Sequence, residues 1–466
     1  MGVRAGGSFV FSHFRSLEFV SDCPMSRRRL ASLGFGFRIS DFRVNSFAYL
    51  FERFPSFVQT FVYREAAEMV RRGMEPWLVS IRRPDDPVDL AAEMDAEVFY
   101  LPEEKTLRAE VDAQRAAGKL SWRARRAMSR HRAEKDSQRI FEAIWLGPRL
   151  RARGVRHVHA HFGGVAARTA WWLRRLFGFS YSFTGHANDI FCETDFPVSN
   201  ADLVRAAQFV VTETDHARRW MEEKHAGARG KVFRVFNGIA LDGFPPRAAA
   251  GAVPRILSVG RYVEKKGFGD LIAACGLLRG HGVVFECAIV GGGPLERELQ
   301  AQIDAAQLGD VVKLLGPRPQ TEVRRMLAEA QLFVLACVVE TGGGSDNLPT
   351  VVMEAMACGT PVISTRVAGV PEMVDDGQTG LLTPPNDPPT LAAAMEKLLR
   401  EPALAEGLAA SARRSAGGKF ASEMTTRDLQ HLLIRRGGVV APEAARSLDP
   451  TLPRATFFSR VSGYFR

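Results

Sequence analysis

From residue 255 onward the chain alternates short apolar runs with longer amphipathic stretches. RILSVG (255–260) reads as a strand and the segment from Gly267 to Leu278 as a helix. VFECAIV (284–290) is again a strand, and PLERELQAQIDAA is a helix with Pro294 in its first turn, where a missing N–H costs nothing. VVKLL (311–315), a helix through VRRMLAEA, the strand LFVLACVV, the helix TVVMEAMAC and the strand PVIST continue the series. Strands separated by helices imply a parallel sheet with right-handed crossovers, covered on both faces. The first half follows the same rhythm: NSFAYLF, a helix through FVQTFVYREAAEMVRRG, PWLVSIRR, a long basic helical region, HVHAHF, a helix through ARTAWWLRRLFG, then YSFTG, QFVVTET and VFRVF. The predicted fold is α/β, with two doubly wound (Rossmann-like) parallel-sheet domains facing across a cleft. The first spans 43–236, a Pro- and Gly-containing linker 237–254, the second 255–420, and a C-terminal helix and tail 421–466. Ligands of open α/β sheets bind beyond the carboxyl ends of the strands, so the site belongs in the cleft.

Composition narrows the class. Of the 466 residues 46% are hydrophobic and 24% charged, which is globular rather than disordered or fibrous. No stretch approaches the ~18 apolar residues of a membrane span. The opening residues lack the apolar core and cleavage site of a signal peptide. The six cysteines show no CxxC spacing and mostly lie in apolar runs, so they read as buried thiols in a cytoplasmic protein. Lys and Arg exceed Asp and Glu by 62 to 52, a net charge of +10. Residues 1–42 read as a basic arm, or as an extension upstream of a native start at Met25. A second basic zone runs from Lys105 to Arg153, either a solvated helix face or a surface that meets anionic phosphates or an anionic leaflet of the plasma membrane. It lacks the interleaved aromatics and motifs of a nucleic-acid platform, so no nucleic-acid partner is expected.

The richest chemistry lies in SDNLPTVVMEAMACGTPVIS (345–364). Asp346 and Glu354 flank a helix start marked by Pro349, where free N–H groups around Leu348 and Thr350 suit a phosphate. Carboxylates there match the vicinal hydroxyls of a ribose and a sugar. Glu354, inside an apolar run, needs a partner of some kind. SVGRYVEKKGF puts Arg261 and Lys266 after the first strand of the second domain, two cations suited to a diphosphate leaving group. Gly291, Gly292 and Gly293 form a strand-to-helix turn that is either a bare turn or a close approach to a nucleotide. In the first domain, YSFTGHANDIF places His186 just past a strand end, with Asp189 three residues on. His186 suits acid–base or hydrogen-bonding work beside a reacting sugar. The period of two sets His157, His159 and His161 on one face of HVHAHF, with His161 at the cleft end. No fourth zinc ligand is evident nearby, and no metal is expected.

These runs resemble the retaining glycosyltransferases of family 4, which have the two-domain GT-B fold. GRYVEKKG, GGGP, DNLPTVVMEAMACGTPVIST and GVPEMVDDGQTGLLTPPND occur in the family's order and spacing. RFPSFVQTFVYREAAEMVRRG, HAHFG and FTGHANDIF look like the branch that builds bacterial exopolysaccharides such as colanic acid. The similarity covers residues 45–420. It implies that Arg261 and Lys266 neutralise the diphosphate of a UDP- or GDP-sugar donor in place of a metal, so that no cofactor is needed. It further implies that Glu354 holds the ribose, Asp346 holds the transferred sugar, and His186 stabilises charge at the reacting carbon. The leaving phosphate would then serve as the base, and the acceptor would be a saccharide carried on a polyprenyl diphosphate. That places the enzyme in the cytoplasm, peripheral on the inner face of the plasma membrane.

Two departures stand out. Asp346 replaces the first glutamate of the family's paired carboxylates, one methylene shorter, and Gln59 in VQTF replaces an acid at the cleft-facing start of a helix. Both favour an alternative reading, a non-catalytic scaffold that binds nucleotide-sugar or membrane. A nucleotide-sugar epimerase on the same architecture is another. A phosphorylase would need a cofactor lysine that is not located, and a nicotinamide dehydrogenase is opposed by GGGP, which lacks the G-x-G-x-x-G order.

Overall fold

A computed structural model describes residues 47–55, 60–84, 96–192, 195–245, 247–248 and 251–452. The basic arm, Gln59 and the end of the tail lie outside the described residues.

Two parallel sheets carry the fold. The first has seven strands: β1 (Phe47–Arg53), β2 (Trp77–Arg82), β3 (Val98–Tyr100), β4 (His157–His161), β5 (Ser180–Gly185), β6 (Val210–Thr212) and β7 (Val232–Arg234), in the order β3-β2-β1-β4-β5-β6-β7. The second has six: β8 (Arg255–Val259), β9 (Glu286–Val290), β10 (Val312–Leu314), β11 (Leu332–Leu335), β12 (Val362–Thr365) and β13 (Leu381–Thr383), in the order β10-β9-β8-β11-β12-β13. The strand order reverses between β1 and β4 and again between β8 and β11. Each reversal opens a crevice at the carboxyl ends of its strands. The expected pair of doubly wound sheets is what the chain forms.

Apolar runs make buried strands, and β1 shows how the period of two is used. Tyr49 and Phe51 face a cluster with Phe209, Leu429 and Leu433, while Ala48 and Leu50 face one with Val79, Leu146 and Ala160. β4 is the exception, a polar strand that is wholly buried. Its register against β5 sets His157, His159 and His161 beside Ser180, Ser182 and Thr184. The serine hydroxyls meet both nitrogens of His157 at 2.9 and 2.7 Å, and Ser182 and Thr184 meet those of His159 at 2.7 and 3.0 Å. Burial pushes His157 down to about 3 and His159 well below the ordinary imidazole value. Both stay neutral, which is how these two histidines fit in a core.

The chain crosses between the sheets twice, and the crossings lie side by side. The Ile239 N–H donates to Phe420 O at 2.8 Å and the Ser422 N–H to Ile239 O at 3.0 Å. A Cβ on Gly238 would lie 2.6 Å from Ser422 Cα, so only glycine fits there. After the second crossing, helix Ser422–Arg435 packs on helix Thr60–Arg71 and completes the core of the first sheet.

Three of the boundaries that differ from the sequence reading lie near the site. The helix after GGGP starts at Glu296, with Pro294 in the turn before it. Helix Thr350–Cys358 starts one residue after Pro349, whose ψ of 101° is extended. The run LFVLACVV is a strand only to Leu335. Beyond it the backbone turns to serve the neighbouring loop, where Val338 N–H donates to Lys265 O at 3.1 Å.

Candidate functional site

Most of the predicted residues collect at the carboxyl ends of the two sheets. His186 follows β5 at the start of the short helix Ala187–Phe191. Its Nδ1 lies 2.6 Å from Glu213 Oε1, and Glu213 is the first residue past β6. Its backbone N–H donates to Asp189 Oδ2 at 3.2 Å. Phe61 and Phe162 hold the imidazole at centroid distances of 5.0 and 4.5 Å, and His161 stacks on it at 6.0 Å. Phe162 adopts a φ of 71°, a strained conformation for an aromatic residue, of the kind that surrounding structure must enforce. His186 Nε2 is buried and has no hydrogen-bond partner among the described residues.

The electrostatics of His186 are a contest. Burial is the largest influence and pushes its pKa down. The Glu213 carboxylate, its hydrogen bond, Asp189 and Glu65 together overrule burial and raise it above the ordinary value. Burial raises Asp189 as well, partly offset by His186. With Nδ1 committed to Glu213, Nε2 is the nitrogen left to present a proton. His161 is also buried: its Nε2 lies 3.0 Å from Glu65 Oε1, which accepts the Tyr49 hydroxyl at 2.9 Å as well. Glu65, His159 and His161 bring one ligand atom each within 4.8 Å of one another. The hydroxyl partners already engage both nitrogens of His159.

Glu213 reaches across the molecule. It accepts Asn237 Nδ2 at 2.6 Å and, on its other oxygen, Asn347 Nδ2 at 3.3 Å. Asn347 sits between Asp346 and Leu348, so one carboxylate ties His186 to the opposite domain. Thr214 Oγ1 donates to Asn347 Oδ1 at 2.7 Å beside it. Glu372 adds a second tie by accepting the backbone N–H groups of Asp215 and His216, each at 2.7 Å. It thereby caps helix Asp215–Lys224 from the other domain, where a negative charge is favoured.

In the second domain Lys266 ends the turn Glu264–Lys266 and pairs with Asp346. Burial pushes the lysine down, but Asp346 outweighs it and the pKa is raised. Arg261 is close enough to oppose the lysine's charge and is itself exposed, with no ion pair to a described residue. Gly267, at φ 63°, has Ala336 O 1.7 Å from where a Cβ would stand. Only glycine fits there, immediately after Lys266. Two of the three glycines are tightly packed against backbone: a Cβ on Gly291 would lie 1.8 Å from Gly260 O, and one on Gly293 2.7 Å from Tyr262 O. They let the glycine turn press against the loop that carries Arg261.

Glu354 lies in helix Thr350–Cys358 and is buried. Gln320 Nε2 donates to it at 3.4 Å. Burial raises its pKa, against the charges of Arg64 from the first domain and Arg324 from the second. Leu348 is buried at the cleft end of this helix and Thr350 is half-buried. Glu213, Asn237, Asn347 and Arg64 were not singled out from sequence. The available signal was position: Glu213 immediately follows a strand, where sheet ligands bind.

Residues 245–415 match the family described as Glycosyl transferases group 1. The chain is 39% identical over 181 residues to the amylovoran biosynthesis glycosyltransferase AmsK of Erwinia amylovora, covering 39% of this chain and 44% of that protein. It is 38% identical over 199 residues to the putative colanic acid biosynthesis glycosyltransferase WcaL of Salmonella typhimurium, covering 42% and 49%. The matches thus span less than half of these curated relatives. Among solved structures, sucrose-phosphate synthase from Thermosynechococcus elongatus superposes with a TM-score of 0.63 at 19% identity, over 84% of this chain and 99% of that one. Anabaena HepE in complex with UDP and glucose superposes with a TM-score of 0.60 at 16% identity, over 84% and 99%. The fold is the GT-B type.

Proposed function

We propose that this chain, which carries a glycosyl transferases group 1 domain over residues 245–415, is a retaining glycosyltransferase of exopolysaccharide synthesis. It moves a sugar from a UDP- or GDP-sugar to a saccharide on a polyprenyl diphosphate, without a metal, at the inner face of the plasma membrane. The observation that carries the reading is the bridge His186–Glu213–Asn347, which links a protonatable group at the end of β5 to the segment bearing Asp346 and Leu348. Arg261 and Lys266 face the donor diphosphate and offset the charge that builds as it leaves. Lys266 then exchanges its contact with Asp346 for phosphate oxygens, freeing the carboxylate for sugar hydroxyls. Glu354 takes the ribose. The bond from the anomeric carbon to the phosphate oxygen breaks and one to the acceptor oxygen forms on the same face. The acceptor's proton passes to the departing phosphate. His186, whose pKa Glu213 raises, presents Nε2–H when protonated to an oxygen of the sugar and stabilises this charge shift.

The test is thermal-shift screening against UDP, GDP, ADP and their sugar conjugates, with and without EDTA, followed by transfer to a lipid-linked acceptor and assignment of the product's anomeric configuration. A ligand bound only by the folded chain raises the melting point. A shift from one nucleotide, indifferent to EDTA, with a retained anomer is expected. An inverted product refutes the mechanism, and EDTA-sensitive binding refutes metal independence. Nucleotide binding without turnover on any donor favours the scaffold reading.

A further inference from the structure

Helix Thr60–Arg71 meets the site with its first turns. Phe61 packs against His186 at a centroid distance of 5.0 Å, and Glu65 lies 3.0 Å from His161 Nε2. Arg64 stands one turn after Phe61 and on the same side of the helix. It is 7% exposed, and its guanidinium makes no hydrogen bond or ion pair with a described residue. An arginine is seldom buried this far unless it is paired, because a desolvated charge without a partner is costly.

Two charged groups of the second domain lie within its reach. Burial raises the pKa of Glu354, and the charge of Arg64 is the largest influence against that rise. Burial lowers the pKa of Arg324, and Arg64 is the largest charge adding to that fall. Glu354 is also 7% exposed, yet it forms no ion pair with Arg64; among the described residues its carboxylate accepts from Gln320 alone, at 3.4 Å. Arg324 is engaged elsewhere, with Nη1 donating to Gly243 O at 3.2 Å and the guanidinium 4.6 Å over the Phe244 ring. A buried cation of one domain and a buried carboxylate of the other are thus held apart. The gap between them selects its ligand. A phosphate would suit the two arginines but would be repelled by Glu354. A hydroxyl satisfies both walls, since it donates to a carboxylate and accepts from a guanidinium. Two adjacent hydroxyls can do both at once.

We propose that Arg64 binds the ribose of the donor nucleotide from the first domain, so that one diol bridges Arg64 and Glu354 and couples nucleotide binding to the approach of the two domains. The proposal rests on the reading that Glu354 holds the ribose, and adds the opposite wall of that pocket. The full chain is titrated calorimetrically with UDP and GDP, then with the 2′-deoxy and 3′-deoxy forms of whichever binds. Arg64→Met keeps the apolar stem and removes the donors. It weakens binding of the ribonucleotide about 10–100-fold, the effect of one hydrogen bond to a charged group. Deleting the hydroxyl that Arg64 reads costs the parent a similar factor and costs Arg64→Met much less, the non-additivity of two groups in contact. The melting temperature of the ligand-free variant does not fall, because the charge removed is unpaired there; a drop shows that the guanidinium is already paired and overturns the proposal. An equal loss in Arg64→Met against the ribonucleotide and both deoxy forms moves the contact to the base or the phosphates and overturns the ribose assignment. Unchanged ribonucleotide affinity in Arg64→Met overturns the proposal outright, and Glu354→Gln separates that failure from a deeper one. Weakened binding in Glu354→Gln leaves Glu354 on the ribose, whereas parent-like binding there removes both residues. A parent chain that binds neither UDP nor GDP overturns the proposal and the UDP- or GDP-sugar reading together.

Discussion

Replacing Glu213 with glutamine tests the site at its most connected atom. The carboxylate accepts from His186, Asn237 and Asn347, and glutamine keeps its shape while exchanging one acceptor oxygen for a donor. A hydrogen bond to a charged group contributes about 1.5–3 kcal/mol and a neutral one about 0.5–1.5, while a buried donor left unpaired costs about 1–3. One weakened bond and one donor facing another donor therefore lower stability by about 2–4 kcal/mol. The effect on His186 is sharper. In the parent, burial pulls its pKa down and Glu213 lifts it above the ordinary value. Without that charge burial dominates, and the folded pKa falls below the unfolded value of about 6.5. In the parent a raised folded pKa adds stability that is full below about 6.5 and is lost as pH rises through the folded value. In the variant the sign reverses, because the folded state resists protonation as pH falls. The stability gap between parent and variant thus narrows as pH rises. The assay is NMR titration of the His186 ring in chains with labelled histidine, paired with urea melts at several pH values. If His186 titrates at the same pH in both proteins, the argument that Glu213 governs its charge is refuted. Turnover of the variant at neutral pH is expected to drop by about 10²–10³, the effect of losing one oriented donor.

Lys266→Ala is expected to cut turnover by about 10² or more, because preorganised charge is lost at the leaving group; steady-state rates against donor concentration check it, and near-native rates remove Lys266 from the site. Gly267→Ala forces a Cβ into Ala336 O at a positive φ and should lower stability by about 3 kcal/mol or more in urea unfolding, where a loss under 1 speaks against the tight packing described. Glu372→Ala uncaps helix Asp215–Lys224 across the cleft and should cost about 0.5–2 kcal/mol. It should also enlarge the radius of gyration in small-angle scattering, and an unchanged radius denies Glu372 a part in holding the domains together.

The alternation of apolar runs and amphipathic stretches was enough to read both sheets, because a parallel strand buried on two faces has no polar side to disguise it. β3 and β13, short strands at the edges of their sheets, were not read as strands. The loops that bear Arg261, Lys266 and His186 were legible as strand ends. Their partners were not: Glu213 and Asn347 lie 134 positions apart, and nothing local in TET or SDN announces that they meet. The glycines at 291 and 293 read as either a bare turn or a close approach to a nucleotide, and what sequence could not show is that a Cβ on them would meet Gly260 O and Tyr262 O. That Glu354 needs a partner was legible in its apolar run, whereas the partner charge of Arg64 comes from a helix nearly three hundred positions earlier.

The second crossing between the sheets has a consequence for the order in which the protein is made. Tyr49 and Phe51 emerge from the ribosome early, but Leu429 and Leu433, which cover their face of the sheet, come near the end. At about 5–20 residues per second, the roughly 200 residues between β7 and those leucines take about 10–40 s to synthesise. Throughout that interval helix Thr60–Arg71 covers that face of the first sheet only in part. The second domain draws most of its core from residues between 256 and 420 and needs no such wait. The half that is translated first is therefore the half that finishes folding last, and during synthesis it is the exposed partner that a chaperone has to shield.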